Sequence, residues 1–356
     1  MGNTLAIILA YAGTCEMSIA NPTISLLSGE LQFVCGARHV EDLAVVPDTE
    51  FLIGGGAIGP GSPSGSLYCF DMKRRTAERL TPDTSGPPRP EYSAGPANLD
   101  LSVFDPHGVA IRSETGRAPL LYVVNHGGRE SIEIFQIDVE TRPLRLTWIG
   151  SLVFPDGVSG NAVTPLLDGG LAATKFFDTR KSSFPEQVTG REKTGGVYRW
   201  HPRKGFDVIP GTEGSGNNGV DTTADGKWLF VNLWAEQKIL RVDLDGIEAP
   251  LIVPIDFMPD NIHRMADGKF LIAGHISTPE ILFSGKREHC PVDWAVAILD
   301  PRNMGIEYIL WEKGNPTFSD ATGAVQVGDQ IWISTYRGDR IAIADLSLSN
   351  VGEPTE

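Results

Sequence analysis

The chain has 356 residues, 41% of them hydrophobic, enough to bury a large core as two ordinary domains or as one large all-β or α/β domain. A formal charge of −15 works against binding a nucleic-acid backbone or an anionic membrane, since both reward clustered Lys and Arg. With 40 Gly and 25 Pro and no long runs of Ala, Leu, Glu and Lys, the composition points to many short strands and an all-β fold.

Near the start, "LAIILAYA" has the length of a signal-peptide apolar region, but the first Lys or Arg is Arg38, so the charged segment that should precede it is missing. The expectation is a soluble, cytoplasmic protein. No run approaches the ~20 apolar residues of a bilayer span, and "GNTLAIILAYAG" has almost no polar face with which to lie on a membrane. The four cysteines, Cys15, Cys35, Cys69 and Cys290, form no Cys-x-x-Cys pair and read as free thiols, with one disulfide open to an exported protein.

From residue 41 onward one unit recurs: a polar start, a short apolar strand, a tight turn and a second apolar strand. It appears as "EDLAVVPDTEFLIGGG" from Glu41, "HGVAIRSETGRAPLLYVVNH" from His107 and "GNAVTPLLDGGLAATKF" from Gly160. It returns as "NGVDTTADGKWLFVNLW" from Asn218, "DNIHRMADGKFLIAGH" from Asp260 and "TGAVQVGDQIWISTY" from Thr322. Several turns are Asp-Gly or Gly-Asp, the chemistry that closes β-hairpins. Alternating stretches such as "SIEIFQIDVE", "GGVYRWHP", "QKILRVDLDG" and "WAVAILDP" lie between the hairpins and supply outer strands. The spacing of roughly 40 to 65 residues is that of propeller blades with variable loops.

These features predict a six-bladed β-propeller of four-stranded blades over 35–345. An N-terminal segment, 1–34, contributes a ring-closing strand from "NPTISLLSG", and a polar tail covers 346–356. "GGGAIG" matches Gly-x-Gly-x-x-Gly, but the "PGSPSG" that follows cannot open the helix a dinucleotide phosphate needs.

In a propeller the first strand of each blade lines the central channel, so the residues that begin the units converge at one mouth. They include Glu41, His107, Asn161, Asn218, Asp260 and Asn261. Two carboxylates and three carboxamides among them offer oxygen only, the ligand type preferred by calcium. The antiparallel second strands end at the same mouth, at Gly56, His126, Phe176, Trp234, His275 and Tyr336. His107 and His126, the two ends of one hairpin, are placed to activate water beside the metal. Phe176, Trp234, His275 and Tyr336 are candidates for the wall of a substrate pocket.

At these residues the sequence resembles the paraoxonases, calcium-dependent arylesterases and lactonases within the wider SMP-30/gluconolactonase-like group of six-bladed propellers. "DPHGVA" followed by "LYVVNH" is the most specific piece, and "SGNAV", "NNGVDTTADGKWLFV" and "PDNIHRMADGKFLIAGH" recur in the expected order across about residues 35–345. The resemblance implies that Glu41, Asn161, Asn218, Asp260 and Asn261 hold a catalytic calcium. It also implies that His107 and His126 form a catalytic dyad and that His275 lines the pocket. A second, structural calcium would fall to Asp42 and the Val109 carbonyl, but Ala162 stands where the family carries an Asp. No cysteine follows Cys290, so the family's disulfide to a C-terminal cysteine has no counterpart.

The reading is a hydrolase of lactones or aryl esters, acting on a small molecule, with no nucleic-acid or membrane partner. A sugar lactonase of the gluconolactonase type and a non-catalytic calcium-binding propeller are the alternatives. Oligomeric state and the identity of the substrate have no sequence signal.

Overall fold

Each two-strand unit of the sequence forms the inner half of a four-stranded antiparallel sheet, and six such sheets make up the fold. The computed structural model describes residues 30–346 apart from 60–61, 94, 96 and 285–290. The apolar "LAIILAYA" segment, Cys15, Cys290 and the residues after 346 lie outside the described part.

The inner strands are Val40–Val45, Pro106–Arg112, Val158–Pro165, Asn217–Thr222, Met258–Arg264 and Ala321–Val327, in blades 1 to 6. Each pairs with a second strand across a tight turn: Phe51–Gly56, Leu120–Asn125, Leu171–Asp178, Trp228–Leu233, Phe270–His275 and Gln330–Thr335. The stretches expected as outer strands form third strands at Ser131–Asp138, Gly196–His201, Lys238–Asp243 and Trp294–Asp300.

The ring-closing strand is Gln32–Cys35, which pairs antiparallel with Arg340–Asp345 as the outermost strand of blade 6. This differs from the expected "NPTISLLSG", which lies outside the described residues. Joining the two ends of the propeller in one sheet means that opening the ring costs a ladder of backbone hydrogen bonds. Cys35 and Cys69 are free thiols, the first exposed and the second buried. Among the described residues no helix is long and apolar enough to cross a membrane, and none follows "GGGAIG" before the third strand of blade 1, Ser66–Asp71.

The core is divided into wedges between neighbouring blades. In Leu120–Asn125, Leu121 and Val123 pack against blade 1 while Tyr122 and Val124 pack against blade 3. The same division recurs between blades 3 and 4, 4 and 5, 5 and 6, and 6 and 1. Successive side chains of a strand point to opposite faces, so a strand sandwiched between two blades must be apolar on both. That explains continuous runs such as "LLYVV" in place of strict alternation.

At the axis the inner strands approach one another backbone to backbone. A Cβ on Gly219 would stand 2.6 Å from the Asp260 carbonyl oxygen and 2.7 Å from the Asn261 Cα, and one on Gly108 would stand 2.4 Å from the Asn161 carbonyl oxygen. Gly219→Ala should therefore destabilise the fold by about 1–3 kcal/mol through overpacking against backbone. Chemical denaturation measures it, and an unchanged midpoint would show that the strands are free to move apart.

Candidate active site

All six inner strands break register near their first residues. The shifts fall between Val40 and Asp42, Pro106 and Val109, Gly160 and Val163, Asn217 and Val220, Pro259 and Ile262, and Ala321 and Ala324. A bulge leaves a residue unpaired and re-aims its side chain. The residues released here are Glu41, His107, Asn161, Asn218, Asp260 with Asn261, and Thr322.

Their side chains meet. Asn261 Nδ2 donates to Glu41 Oε1 at 2.8 Å and to the Glu41 carbonyl at 3.2 Å. His107 Nε2 lies 3.1 Å from Asn161 Nδ2 and 3.5 Å from Glu41 Oε1. Asp260 neighbours Asn218 and Glu41, and Thr322 Oγ1 donates to the Glu41 carbonyl at 2.6 Å. All five candidate oxygen ligands are buried.

Burial, followed by the charges of Asp260 and Asp42, pushes the Glu41 carboxyl well above its ordinary range, and burial does the same to Asp260. Two carboxylates this close cannot both ionise in a dry site without a cation. Four buried oxygens of the ring have no hydrogen-bond donor: Glu41 Oε2, Asn161 Oδ1, Asn218 Oδ1 and Asp260 Oδ1. Oxygen-only donors that are orphaned, convergent and partly anionic fit a hard divalent cation. Among the described residues no three His, Cys, Asp or Glu side chains come together as a metal group, so a cation here would depend on the carboxamides.

Asp42 is engaged differently. Its Oδ1 accepts from Leu43 N at 2.8 Å and from His263 Nε2 at 2.7 Å, and its Oδ2 accepts from Val109 N at 2.9 Å. Val109 thus meets Asp42 through its N–H, and an imidazole occupies the place of a positive partner. With Ala162 adding no oxygen, these residues do not fit a second cation. Asp42, Asp221, His263 and Arg264 line a charged cavity of about 590 Å³ that continues the channel along the inner strands away from the ring.

His107 and His126 meet edge to face, with ring centroids 5.0 Å apart at 73°. Burial, then the neighbouring His126, holds the His107 imidazole well below its ordinary value, so it is a free base at neutral pH. Burial also pushes His126 down, but the Glu130 hydrogen bond and charge, with Asp105, carry it above the ordinary value. His126 Nδ1 lies 3.0 Å from both Glu130 oxygens.

The expected pocket wall divides. Phe176 and Trp234 pack at 5.7 Å between centroids, and Phe184 joins them at 4.9 and 6.2 Å. Phe184 opens the helix α1, Phe184–Thr189. Phe283, which follows the helix α2, Pro279–Leu282, packs 5.3 Å from Phe184. Trp234 Nε1 donates to His275 Nδ1 at 3.3 Å, and that same nitrogen stands 3.6 Å from Asp260 Oδ2. Burial keeps His275 below its ordinary value, so it is a neutral ring that links the aromatic wall to the oxygen cluster. Tyr336 stands apart and is exposed, its carbonyl taken by His39.

Sequence reasoning missed Thr322, Glu130, Phe184, Phe283 and His263. Thr322 begins the sixth unit, and that position was its signal. His263 follows Asn261 by two residues on the same face of a strand. The others sit in connections whose conformation has no periodic signature.

No family model matches the chain. Over 200 residues it is 25% identical to human serum paraoxonase/lactonase 3, covering 54% of this chain and 52% of that protein. Over 199 residues it is 26% identical to human serum paraoxonase/arylesterase 1, with the same coverage of 54% and 52%. The chain is a six-bladed β-propeller with sequence similarity to the paraoxonases. It spans about half the length of the curated relatives it matches. Among solved structures, a gluconolactonase from Xanthomonas campestris superposes with a TM-score of 0.53 at 17% identity, covering 88% of this chain and 89% of that one. Regucalcin from Agrobacterium tumefaciens, described as a calcium-binding protein, gives 0.54 at 12% identity, covering 91% and 95%. At these identities the structures show a shared fold.

The raised value of His126 links its ion pair to stability. A histidine whose folded value is raised stabilises the fold fully below its unfolded value of 6.5, and that contribution is lost as pH rises through the folded value. The wild type should exceed His126→Gln in stability by more at pH 6 than at pH 9. Denaturation curves at the two pH values check this, and an equal gap would show that His126 bears no extra charge when folded.

Proposed function

We propose that this paraoxonase-like propeller is a calcium-dependent hydrolase of lactones or aryl esters. The observation that carries the reading is the group of four donor-less oxygens on Glu41, Asn161, Asn218 and Asp260. Each would cost about 1–3 kcal/mol if left unsatisfied, and together they supply the ligand chemistry of a calcium site. Glu41, Asn161, Asn218, Asp260 and Asn261 would hold the ion. Calcium bound there would act as a Lewis acid towards the carbonyl of a lactone or ester.

The remaining chemistry belongs to side chains. His107, neutral and beside Glu41 and Asn161, accepts the proton of the attacking water at Nε2 and returns it to the leaving alkoxide oxygen. The bond formed joins the water oxygen to the carbonyl carbon, and the bond broken is the ester C–O bond. His126 supports the base through ring contact. Phe176, Trp234 and Phe184 pack against the organic part of the substrate and exclude water. This apolar wall favours an aliphatic or aromatic lactone or ester over a sugar lactone. In a non-catalytic propeller, the alternative from another class, the same cation would only pin the blades.

Calorimetric titration should find one tight calcium per chain, and Asp260→Ala should weaken it and abolish turnover on a panel of aliphatic lactones, sugar lactones and aryl esters. Unchanged affinity in that variant would remove the site assignment, and two tight ions would mean that Asp42 exchanges His263 for a metal. With calcium saturating, His107→Gln should keep its fold and its calcium while turnover falls about 10²-fold or more. Full activity in that variant would make His107 a rim residue.

A further inference from the structure

Glu130 lies in the connection after Leu120–Asn125, and no sequence motif singles it out. The connection is braced from within. Asn125 Nδ2 donates to the carbonyls of Gly127 and Arg129 at 3.0 and 3.2 Å, and its Oδ1 accepts from Asp105 N and Gly127 N, both at 3.0 Å. Arg129, beside Glu130, turns away to the buried Glu133, with Nη2 2.9 Å from Glu133 Oε1. The Arg129 guanidinium is thereby committed to Glu133, and the Glu130 carboxylate pairs with His126.

That carboxylate makes two sets of contacts at once. Both oxygens lie 3.0 Å from His126 Nδ1. Oε2 also accepts from Gly160 N at 3.0 Å, and Oε1 from Ser159 Oγ at 3.4 Å. Gly160 and Ser159 belong to the inner strand of blade 3, at the bulge that presents Asn161. The charged and titratable groups facing His126 are Glu130, Asp105 and His107.

We propose that Glu130 is a positioning residue that fixes the His126 imidazole with its proton on Nδ1 and registers the histidine pair against the strand carrying Asn161. Its catalytic consequence rests on the hydrolase reading above, whereas its effect on the imidazole does not. With Nδ1–H donated to a carboxylate, Nε2 is the nitrogen that gains and loses a proton, and the ring cannot rotate away from His107 without breaking a charge-assisted hydrogen bond. Because the same oxygens hold Gly160, the dyad of blade 2 and the blade 3 member of the oxygen ring, Asn161, keep one geometry, as an orienting partner does for a catalytic histidine.

The test compares full-length wild type, Glu130→Gln, His126→Gln and the double variant, with ¹⁵N-labelled histidine and saturating calcium. In the wild type the ¹⁵N shifts of neutral His126 should report a proton on Nδ1. In Glu130→Gln, whose carboxamide can donate as well as accept, they should report a mixture of tautomers. On the best substrate of the panel, kcat should fall about 10- to 100-fold with calcium affinity unchanged. The double variant should be no slower than His126→Gln, since Glu130 acts through His126. An unchanged tautomer in Glu130→Gln, unchanged kcat, or full multiplication of the two single losses would overturn the proposal. If the wild type turns over nothing in the panel, the hydrolase reading falls and the tautomer measurement alone decides on Glu130. Should Glu130→Gln fail to fold, Glu130→Asp keeps the charge but shortens the reach, and it should shift the tautomer and kcat in the same direction.

Discussion

Two carboxylates, Glu41 and Asp260, face each other in a buried site at the propeller axis, and they cannot both ionise without a positive partner. The structure around them is arranged as if that partner were a cation. The surrounding amides spend N–H groups on other members of the ring, Asn261 on Glu41 Oε1 and Asn161 towards His107. The oxygens of Glu41, Asn161, Asn218 and Asp260 that remain have nothing to bond. A site built to be neutral would have turned an amide donor towards each carboxylate oxygen.

The fold delivers this arrangement by repetition with one local defect. Regular ladders would place the first residues of each inner strand between the blades, where the apolar wedges lie. The bulge frees a side chain from that alternation and sends it to the axis. Glycines beside the released residues, Gly108 and Gly219, let neighbouring inner strands approach closely, so that side chains from different blades touch within hydrogen-bond distance. Asp42, an inner-strand carboxylate beyond the ring, pairs with His263 instead. Two solutions to buried charge thus follow each other along the channel, an oxygen ring above and an imidazole pair below.

Much of this was legible in the sequence because its signals are local and periodic. The hairpins announce themselves through Asp-Gly turns between apolar runs, and equal placement of Glu41, Asn161, Asn218 and Asp260 at the start of those runs predicts their convergence. Position along the strand also brought His107 and His126 together. The bulges were not legible, because a register shift depends on how one blade packs on the next. The closing strand was placed too early in the chain for a related reason, since a short edge strand such as Gln32–Cys35 carries little pattern of its own. Glu130, Phe184 and Phe283 lie in connections, and Tyr336, though correctly placed at the end of its strand, leaves the aromatic wall because its side chain emerges into solvent.

The central claim is that the axial oxygens are the ligands of a calcium ion. A crystal structure of the protein grown with calcium, with anomalous difference density collected, tests it most directly. The account predicts one strong peak about 2.3–2.6 Å from oxygens of Glu41, Asn161, Asn218 and Asp260, with Asp42 still bonded to His263. An empty ring at millimolar calcium, with Glu41 and Asp260 sharing a proton, would contradict it.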